Sequence, residues 1–176
     1  RASPEQIKRD LIAAFSEANL AVYKKSNLEP GCKGMGTTAV VAVIAGGRAY
    51  IAHVGDSRAY AWKEGKIRQL TKDHSLVQEL VEQGKLTPDE MRTHPNKNII
   101  TRVVGVNLLV DIDYMELALE EGEKLLLCSD GLSDMVADGQ MADVLESNDA
   151  VNACRALIGL ANQSGGRDNI TVVVIE

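Results

Sequence analysis

The sequence has few of the residues that form disulfides or bind zinc: three cysteines and three histidines in 176 residues. Cys32, Cys128 and Cys154 lie far apart and form no Cys-x-x-Cys pair, so neither a disulfide framework nor a Cys/His ligand set for zinc is indicated. Cys128 ends an apolar run, and Cys154 falls on the apolar face of a helical pattern, so both are predicted to be small core residues. Such cysteine use is typical of the cytoplasm, which is the predicted compartment.

Long apolar segments and an excess of positive charge are also missing. The longest apolar run, Ala39–Ala45, is far shorter than the roughly 20 residues of a membrane-spanning helix, and no basic and apolar leader opens the chain. There are 19 Lys and Arg residues against 25 Asp and Glu, a net charge of −6, which argues against a nucleic-acid-binding protein. The chain starts at Arg1 rather than at a methionine, so we expect a trimmed sequence.

The remaining composition is that of a globular domain, with 45% hydrophobic and 25% charged residues. Helical patterns open the chain at Ser3-Pro4 and recur at 140–145 and 150–163. Stretches rich in β-branched residues, separated by glycine turns, predict strands across 37–70. Further strands are predicted at 99–103, 110–114, 124–128 and 169–175. Antiparallel strands with helices before and after them predict an α+β fold rather than a βαβ fold.

A segment between the strands, residues 71–98, has a different pattern. It contains two capping-box signatures, Ser75 with Gln78 and Thr87 with Glu90, which predict two short helices. A small helical insertion of this kind is either a lid over a binding site or a surface connection, and the pattern alone leaves both open.

Three aspartates lie where apolar strand patterns begin or end: Asp56, Asp130 and Asp168. If their strands are neighbours, the carboxylates converge and repel one another, and a hard cation such as Mg²⁺ or Mn²⁺ relieves that repulsion. The alternative is that each aspartate caps a local turn.

Two other patterns suggest different chemistry. Gly55-Asp56-Ser57 resembles part of an esterase nucleophile motif, but a strand pattern follows it and no histidine occurs after His94, so the triad has no base. Asp111-Ile112-Asp113 resembles an aspartyl-phosphate motif, but its alternation predicts a solvent-exposed strand face. His94 is the most interesting histidine because it lies in the insertion.

Six motifs occur in a fixed order along the chain. They are Lys33-Gly34-Met35-Gly36-Thr37-Thr38, His53-Val54-Gly55-Asp56-Ser57-Arg58-Ala59-Tyr60, Thr71-Lys72-Asp73-His74-Ser75, His94-Pro95 through Ile100-Thr101-Arg102, Cys128-Ser129-Asp130-Gly131-Leu132-Ser133-Asp134 and Gly166-Arg167-Asp168-Asn169-Ile170-Thr171. Together they resemble the metal-dependent type 2C (PPM) family of Ser/Thr protein phosphatases in its bacterial form, over essentially the whole chain.

The resemblance implies an αββα sandwich of two antiparallel sheets flanked by helices. It implies hydrolysis of phosphoserine and phosphothreonine through a metal-bridging hydroxide, with two or three Mn²⁺ or Mg²⁺ ions in the complete domain. Asp130 and Asp168 match the family's core metal ligands, Asp56 matches a ligand of a third and weaker metal, and Asn169 matches a neighbour that orients this group.

The same resemblance makes residues 71–98 a flap beside the substrate cleft, with His94 as a candidate contact to substrate. The implied partners are phosphorylated proteins and an opposing Ser/Thr kinase, with no nucleic acid and no membrane segment.

The chain departs from the family pattern at its start. Family members begin with an arginine for the substrate phosphate and an Asp-Gly-Met-Gly-Gly-His block whose aspartate bridges two metals; here Lys33 precedes Gly34-Met35-Gly36. The resemblance therefore implies that residues 1–176 are a single but partial catalytic domain without its first strands. We expect such a fragment to be weak or inactive and to self-associate through exposed sheet edges. The alternative is a non-catalytic module of the same fold that binds phosphoproteins.

Overall fold

The computed structural model describes residues 2–91 and 93–176, in which runs of strands and runs of helices follow one another. The helices are α1 (Pro4–Leu28), α2 (Leu76–Glu82), α3 (Pro88–Met91), α4 (Asp130–Ser133), α5 (Asp138–Ser147) and α6 (Ala150–Gln163), with a short 3₁₀ turn at Pro30–Cys32. The strands are β1 (Ala39–Ala45), β2 (Arg48–Val54), β3 (Arg58–Lys63), β4 (Lys66–Gln69), β5 (Asp113–Ala118), β6 (Lys124–Cys128) and β7 (Val172–Ile175). Among the described helices none is long and apolar enough to cross a membrane.

The elements group into two compact units, each built on one antiparallel sheet. The first unit is Arg1–Asp56 with Asp73–Ala118, and the second is Ser57–Lys72 with Leu119–Glu176. Each sheet belongs wholly to one unit: β1-β2-β5 to the first and β4-β3-β6-β7 to the second.

In the first unit, helix α1 packs on the three-stranded sheet. The helix begins where the sequence predicts, because the Ser3 side chain accepts a hydrogen bond from the Gln6 N–H at 3.2 Å. Its buried side chains meet those of the sheet in a single apolar cluster. That cluster comprises Ile7, Leu11, Phe15, Tyr50, Ala52, Val54 and Val104.

In the second unit, the helices that follow β6 cover the four-stranded sheet. The core of this unit contains Tyr60, Trp62, Leu126, Cys128, Leu132, Val136, Met141, Ala142, Leu145, Ala153, Leu157 and Ala161. Cys128 is buried as predicted, Cys154 is only partly buried, and the described part of the chain contains no disulfide.

Three sequence predictions were wrong about local structure. Residues 99–103 contain one isolated bridge, Ser75 with Ile100, rather than a strand, and a second bridge, Thr37 with Val104, follows directly. The strand predicted at 110–114 begins only at Asp113, and the predicted final strand begins three residues late, at Val172. At 99–101 and at Thr171 the backbone groups pair with residues outside the strands, so the residue pattern there does not produce a ladder.

Candidate active site

Two of the predicted metal ligands, Asp130 at the start of α4 and Asp168 in the loop before β7, lie on segments that are tied together next to β6 and β7. The Ser129 hydroxyl accepts a hydrogen bond from the Thr171 N–H at 3.0 Å and donates one to the Asn169 carbonyl at 3.1 Å. The Ser129 N–H also donates to the Thr171 carbonyl at 3.1 Å. Asp130 is therefore held at the start of α4, next to the loop that carries Asp168.

Gly131 allows this close approach of the two loops. A Cβ atom at this position would lie 2.3 Å from the Asn169 carbonyl oxygen and 3.0 Å from its carbonyl carbon. Because both atoms belong to backbone, they cannot rotate away as the end of a side chain could. Glycine is thus required here for space.

The electrostatics at Asp130 are unfavourable to a lone carboxylate. Asp130 is half-buried, whereas Asp168 is exposed. Burial raises the pKa of Asp130, and the nearby charge of Asp168 raises it further. The Asn169 N–H donates to Asp168 Oδ1 at 2.7 Å, which fixes the second carboxylate in place. A divalent cation with oxygen ligands would relieve this repulsion, so the donor set fits Mg²⁺ or Mn²⁺.

The third predicted ligand, Asp56, belongs to the first unit, directly after β2. The preceding residue, Gly55, has φ of +109°, and a Cβ atom on it would lie 2.3 Å from Thr38 Cγ2. The backbone at this turn therefore has a conformation and a contact that only glycine permits. Asp56 itself is half-buried.

The Gly55 backbone is held on both sides by His74. The Gly55 N–H donates to His74 Nδ1 at 3.0 Å, and the His74 N–H donates to the Gly55 carbonyl at 3.0 Å. Because Nδ1 accepts a hydrogen bond, the ring proton of neutral His74 lies on Nε2.

A partly buried polar cluster joins His74 to residues of the first sheet. His74 Nε2 lies 3.2 Å from Asp113 Oδ2, although the ring N–H does not point directly at that oxygen. Arg102 Nη1 lies 2.5 Å from Asp113 Oδ1, and the His53 ring stacks on His74 with 4.6 Å between centroids. Sequence reasoning missed this cluster, although the Asp113 side chain remains 44% exposed, as expected for a solvent-facing position.

The protonation states within this cluster follow from burial and contact. Burial lowers the pKa of His74, despite its contact with Asp113. Burial alone would raise the pKa of Asp113, but His74 and Arg102 hold that pKa below its ordinary value. The cluster is therefore a neutral imidazole beside an Arg102–Asp113 ion pair.

The ligand atoms of His53, His74 and Asp113 lie within 4.8 Å of one another, a spacing that can accommodate a metal ion. However, His74 Nδ1 already accepts the Gly55 N–H, and Asp113 already binds the Arg102 guanidinium. A nearby guanidinium also opposes a cation. These contacts favour a structural hydrogen-bonded network at this position.

The flap prediction falls on residues 71–98, which contain α2 and α3; Arg92 lies outside the described residues. Both predicted caps are present: Ser75 accepts from the Gln78 N–H at 3.3 Å, and Glu90 accepts from the Thr87 N–H at 2.8 Å. His94 is half-buried, and its Nδ1 accepts from the Asn96 N–H at 3.1 Å. A role of His94 in substrate binding stays a prediction.

Comparison with known proteins gives matches over nearly all of the chain. Residues 2–106 match the family described as protein phosphatase 2C. The serine/threonine phosphatase stp of Listeria welshimeri is 40% identical over 173 residues, which cover 98% of this chain and 69% of that protein.

Solved structures agree with the sequence matches. The serine/threonine phosphatase of S. agalactiae superposes with a TM-score of 0.93 at 39% identity, covering 99% of this chain and 72% of the other. The catalytic domain of the phosphatase PstP, solved in complex with 2 manganese ions, superposes with a TM-score of 0.86 at 37% identity, covering 94% and 69%.

These matches confirm the predicted α+β fold class with two antiparallel sheets flanked by helices. They also confirm the prediction of a protein serine/threonine phosphatase of bacterial type. The chain belongs to the protein phosphatase 2C family.

Proposed function

We propose that this chain hydrolyses phosphoserine and phosphothreonine in proteins with the help of Mn²⁺ or Mg²⁺ held by Asp130 and Asp168. In the same proposal Asp56 is a ligand of a third and weaker ion. The observation that carries the proposal is the set of Ser129 hydrogen bonds that tie the segment of Asp130 to the segment of Asp168, where the charge of Asp168 also raises the pKa of Asp130. When bound, such ions supply a nucleophilic water near neutral pH and neutralise charge on the phosphate oxygens.

The chain's own residues hold this donor set in place. Ser129 joins the two loops through its hydroxyl and its N–H. The Asn169 N–H orients the Asp168 carboxylate, which is the orienting role proposed for Asn169. Gly131 leaves the backbone of residues 169–170 free to approach Asp130.

The remaining assignments extend from the same proposal. Residues 1–176 form one partial catalytic domain, and residues 71–98 form a flap that faces substrate, with His94 as a contact. The substrates are phosphorylated proteins, a Ser/Thr kinase acts in opposition, and the compartment is the cytoplasm. The three cysteines form no disulfide within the described residues, which is consistent with a reducing compartment. We also propose that residues 1–176 alone have weak activity or none and self-associate through sheet edges.

The test is Mn²⁺-dependent release of phosphate from a phosphothreonine peptide by the native protein that contains this chain. We expect Asp130→Asn and Asp168→Asn each to lower the rate far more than threefold, because each removes a carboxylate ligand from the ions that neutralise charge on the phosphate oxygens. Asp143→Asn is the matched control, since Asp143 is an exposed carboxylate on α5 of the same unit. A rate within about threefold of the parent for either ligand variant would show that the assignment is wrong.

A further inference from the structure

His74 forms hydrogen bonds with both the N–H and the carbonyl of Gly55, and Gly55 directly precedes Asp56. The two hydrogen bonds, from Gly55 N–H to Nδ1 and from His74 N–H to the Gly55 carbonyl, are both 3.0 Å long. The side chain of His74 is 6% exposed, so water does not compete for these bonds. The position of the Gly55 backbone therefore depends on where His74 is held.

The His74 side chain has two neighbours: the His53 ring lies against its face, and the Asp113 carboxylate lies at its edge. Stacking on His53, with 14° between the ring planes, fixes the plane of the imidazole. Asp113, itself bound by Arg102, lies 3.2 Å from Nε2. These contacts hold the His74 ring beside the Arg102–Asp113 ion pair, whose side chains are 34% and 44% exposed.

The same histidine joins the two stems of the flap, defined here as residues 73–76 and 99–102. The His74 carbonyl accepts from the Thr101 N–H at 2.8 Å, and the Ile99 carbonyl accepts from the Leu76 N–H at 2.9 Å. A bridge between Ser75 and Ile100 lies between these two bonds. One residue thus connects the flap stems to the turn that carries Asp56.

We propose that His74 is a positioning residue for Asp56: it fixes the Gly55-Asp56 turn and couples the place of the Asp56 carboxylate to the flap stems. This inference rests on the proposed role of Asp56 as a metal ligand. Partners that orient metal ligands typically change metal affinity about 10- to 100-fold when they are mutated. His74 differs from such partners in acting through backbone rather than through the carboxylate.

The experiment measures Mn²⁺ binding to the native protein that contains this chain, by calorimetry and by the signal of free Mn²⁺ in electron paramagnetic resonance. Asp56→Asn identifies the weak Mn²⁺ site by abolishing it. We expect His74→Ala to weaken that same site about 10- to 100-fold and to leave the tighter sites unchanged. His74→Asn should restore the affinity to within about threefold, because its side-chain oxygen can replace Nδ1 as the acceptor.

Asn19→Ala is the matched control. Asn19 is also buried, at 1% exposure, and its Oδ1 also accepts a glycine amide, that of Gly105, at 2.7 Å. This variant should lose stability in the same unit while its Mn²⁺ affinity stays at the parent value. Equal loss of Mn²⁺ affinity in Asn19→Ala and His74→Ala would overturn the inference, since general loosening of the unit would then explain both.

Two further outcomes separate the inference from the proposed function. If Asp56→Asn loses the weak site while His74→Ala keeps it, the inference is wrong and the metal role of Asp56 stands. If Asp56→Asn binds Mn²⁺ as the parent does, the metal role of Asp56 and the inference are both wrong. Should His74→Ala fail to fold, the test compares the Mn²⁺ affinity of the weak site in His74→Asn and in His74→Gln. The amide of glutamine reaches the Nε2 position rather than the Nδ1 position, so only His74→Asn should keep the affinity. Equal affinity in the two variants would overturn the inference.

Discussion

Replacing Gly131 by alanine should reduce both stability and phosphatase activity, because the new methyl group meets backbone. Its Cβ would lie 2.3 Å from the Asn169 carbonyl oxygen, whereas ordinary contact begins at 3.4 Å, a shortfall of about 1.1 Å. Overpacking of this kind costs about 1–3 kcal/mol of unfolding free energy. The displaced backbone adjoins Asp168, and a misplacement of about 1 Å near reacting groups costs on the order of 100-fold in rate.

The assay is urea unfolding together with Mn²⁺-dependent hydrolysis of a phosphothreonine peptide. Gly159→Ala in helix α6 is the control, since no residue that the structure describes comes within 4 Å of a Cβ there. That variant should gain about 0.5–1 kcal/mol of stability and keep the parent rate. A Gly131→Ala protein with parent stability and a rate within threefold of the parent would refute the argument that the two loops require this close approach.

Three further predictions concern charge and backbone. In metal-free protein at pH 7, Asp130→Asn should raise the melting temperature in calorimetry, because burial and Asp168 disfavour the ionised carboxylate that the unfolded chain tolerates; an unchanged or lower value would contradict this. Burial lowers the pKa of His74 below its ordinary value of 6.5, so its contribution to stability is present above pH 6.5 and is lost as the pH falls through the lowered pKa. In urea unfolding with chelator, His74→Gln should flatten this dependence of stability on pH. An unaltered pH profile would show that His74 does not cause it. Gly55→Ala should destabilise the protein more than Gly47→Ala does, since both have positive φ but only Gly55 meets Thr38; equal losses in urea unfolding would show that the contact is relaxed.

Local features of the fold were predictable from the sequence because they depend on neighbouring residues. Helix α6 has the predicted bounds, Ala150–Gln163, since its apolar face repeats with helical spacing. The caps at Ser3, Ser75 and Thr87 formed as predicted, because each is a bond between a side chain and a backbone N–H three residues away. The Gly46-Gly47 turn also matches, with φ of +59° and +72° in the range of a two-residue hairpin.

Features that depend on distant partners were not predictable. The role of Asp113 depends on His74, 39 positions earlier, and on β2–β5 pairing, which places His53 opposite Asp113. The approach of Asp130 to Asp168 depends similarly on β6–β7 pairing, with Cys128 opposite Val172. The sequence indicated this approach only on the condition that the strands were neighbours. Residue patterns give the period of each strand but not its partner.

The central claim is that phosphate release by this protein requires divalent ions held by Asp130 and Asp168. The most direct measurement is the rate of phosphate release from a phosphothreonine peptide after chelation and then during titration with Mn²⁺, for the native protein that contains this chain. We predict that chelation abolishes the rate, that Mn²⁺ restores it in the parent and in Asp143→Asn, and that Mn²⁺ does not restore it in Asp168→Asn. A rate that survives chelation, or an Asp168→Asn variant restored to the parent rate, would contradict the claim.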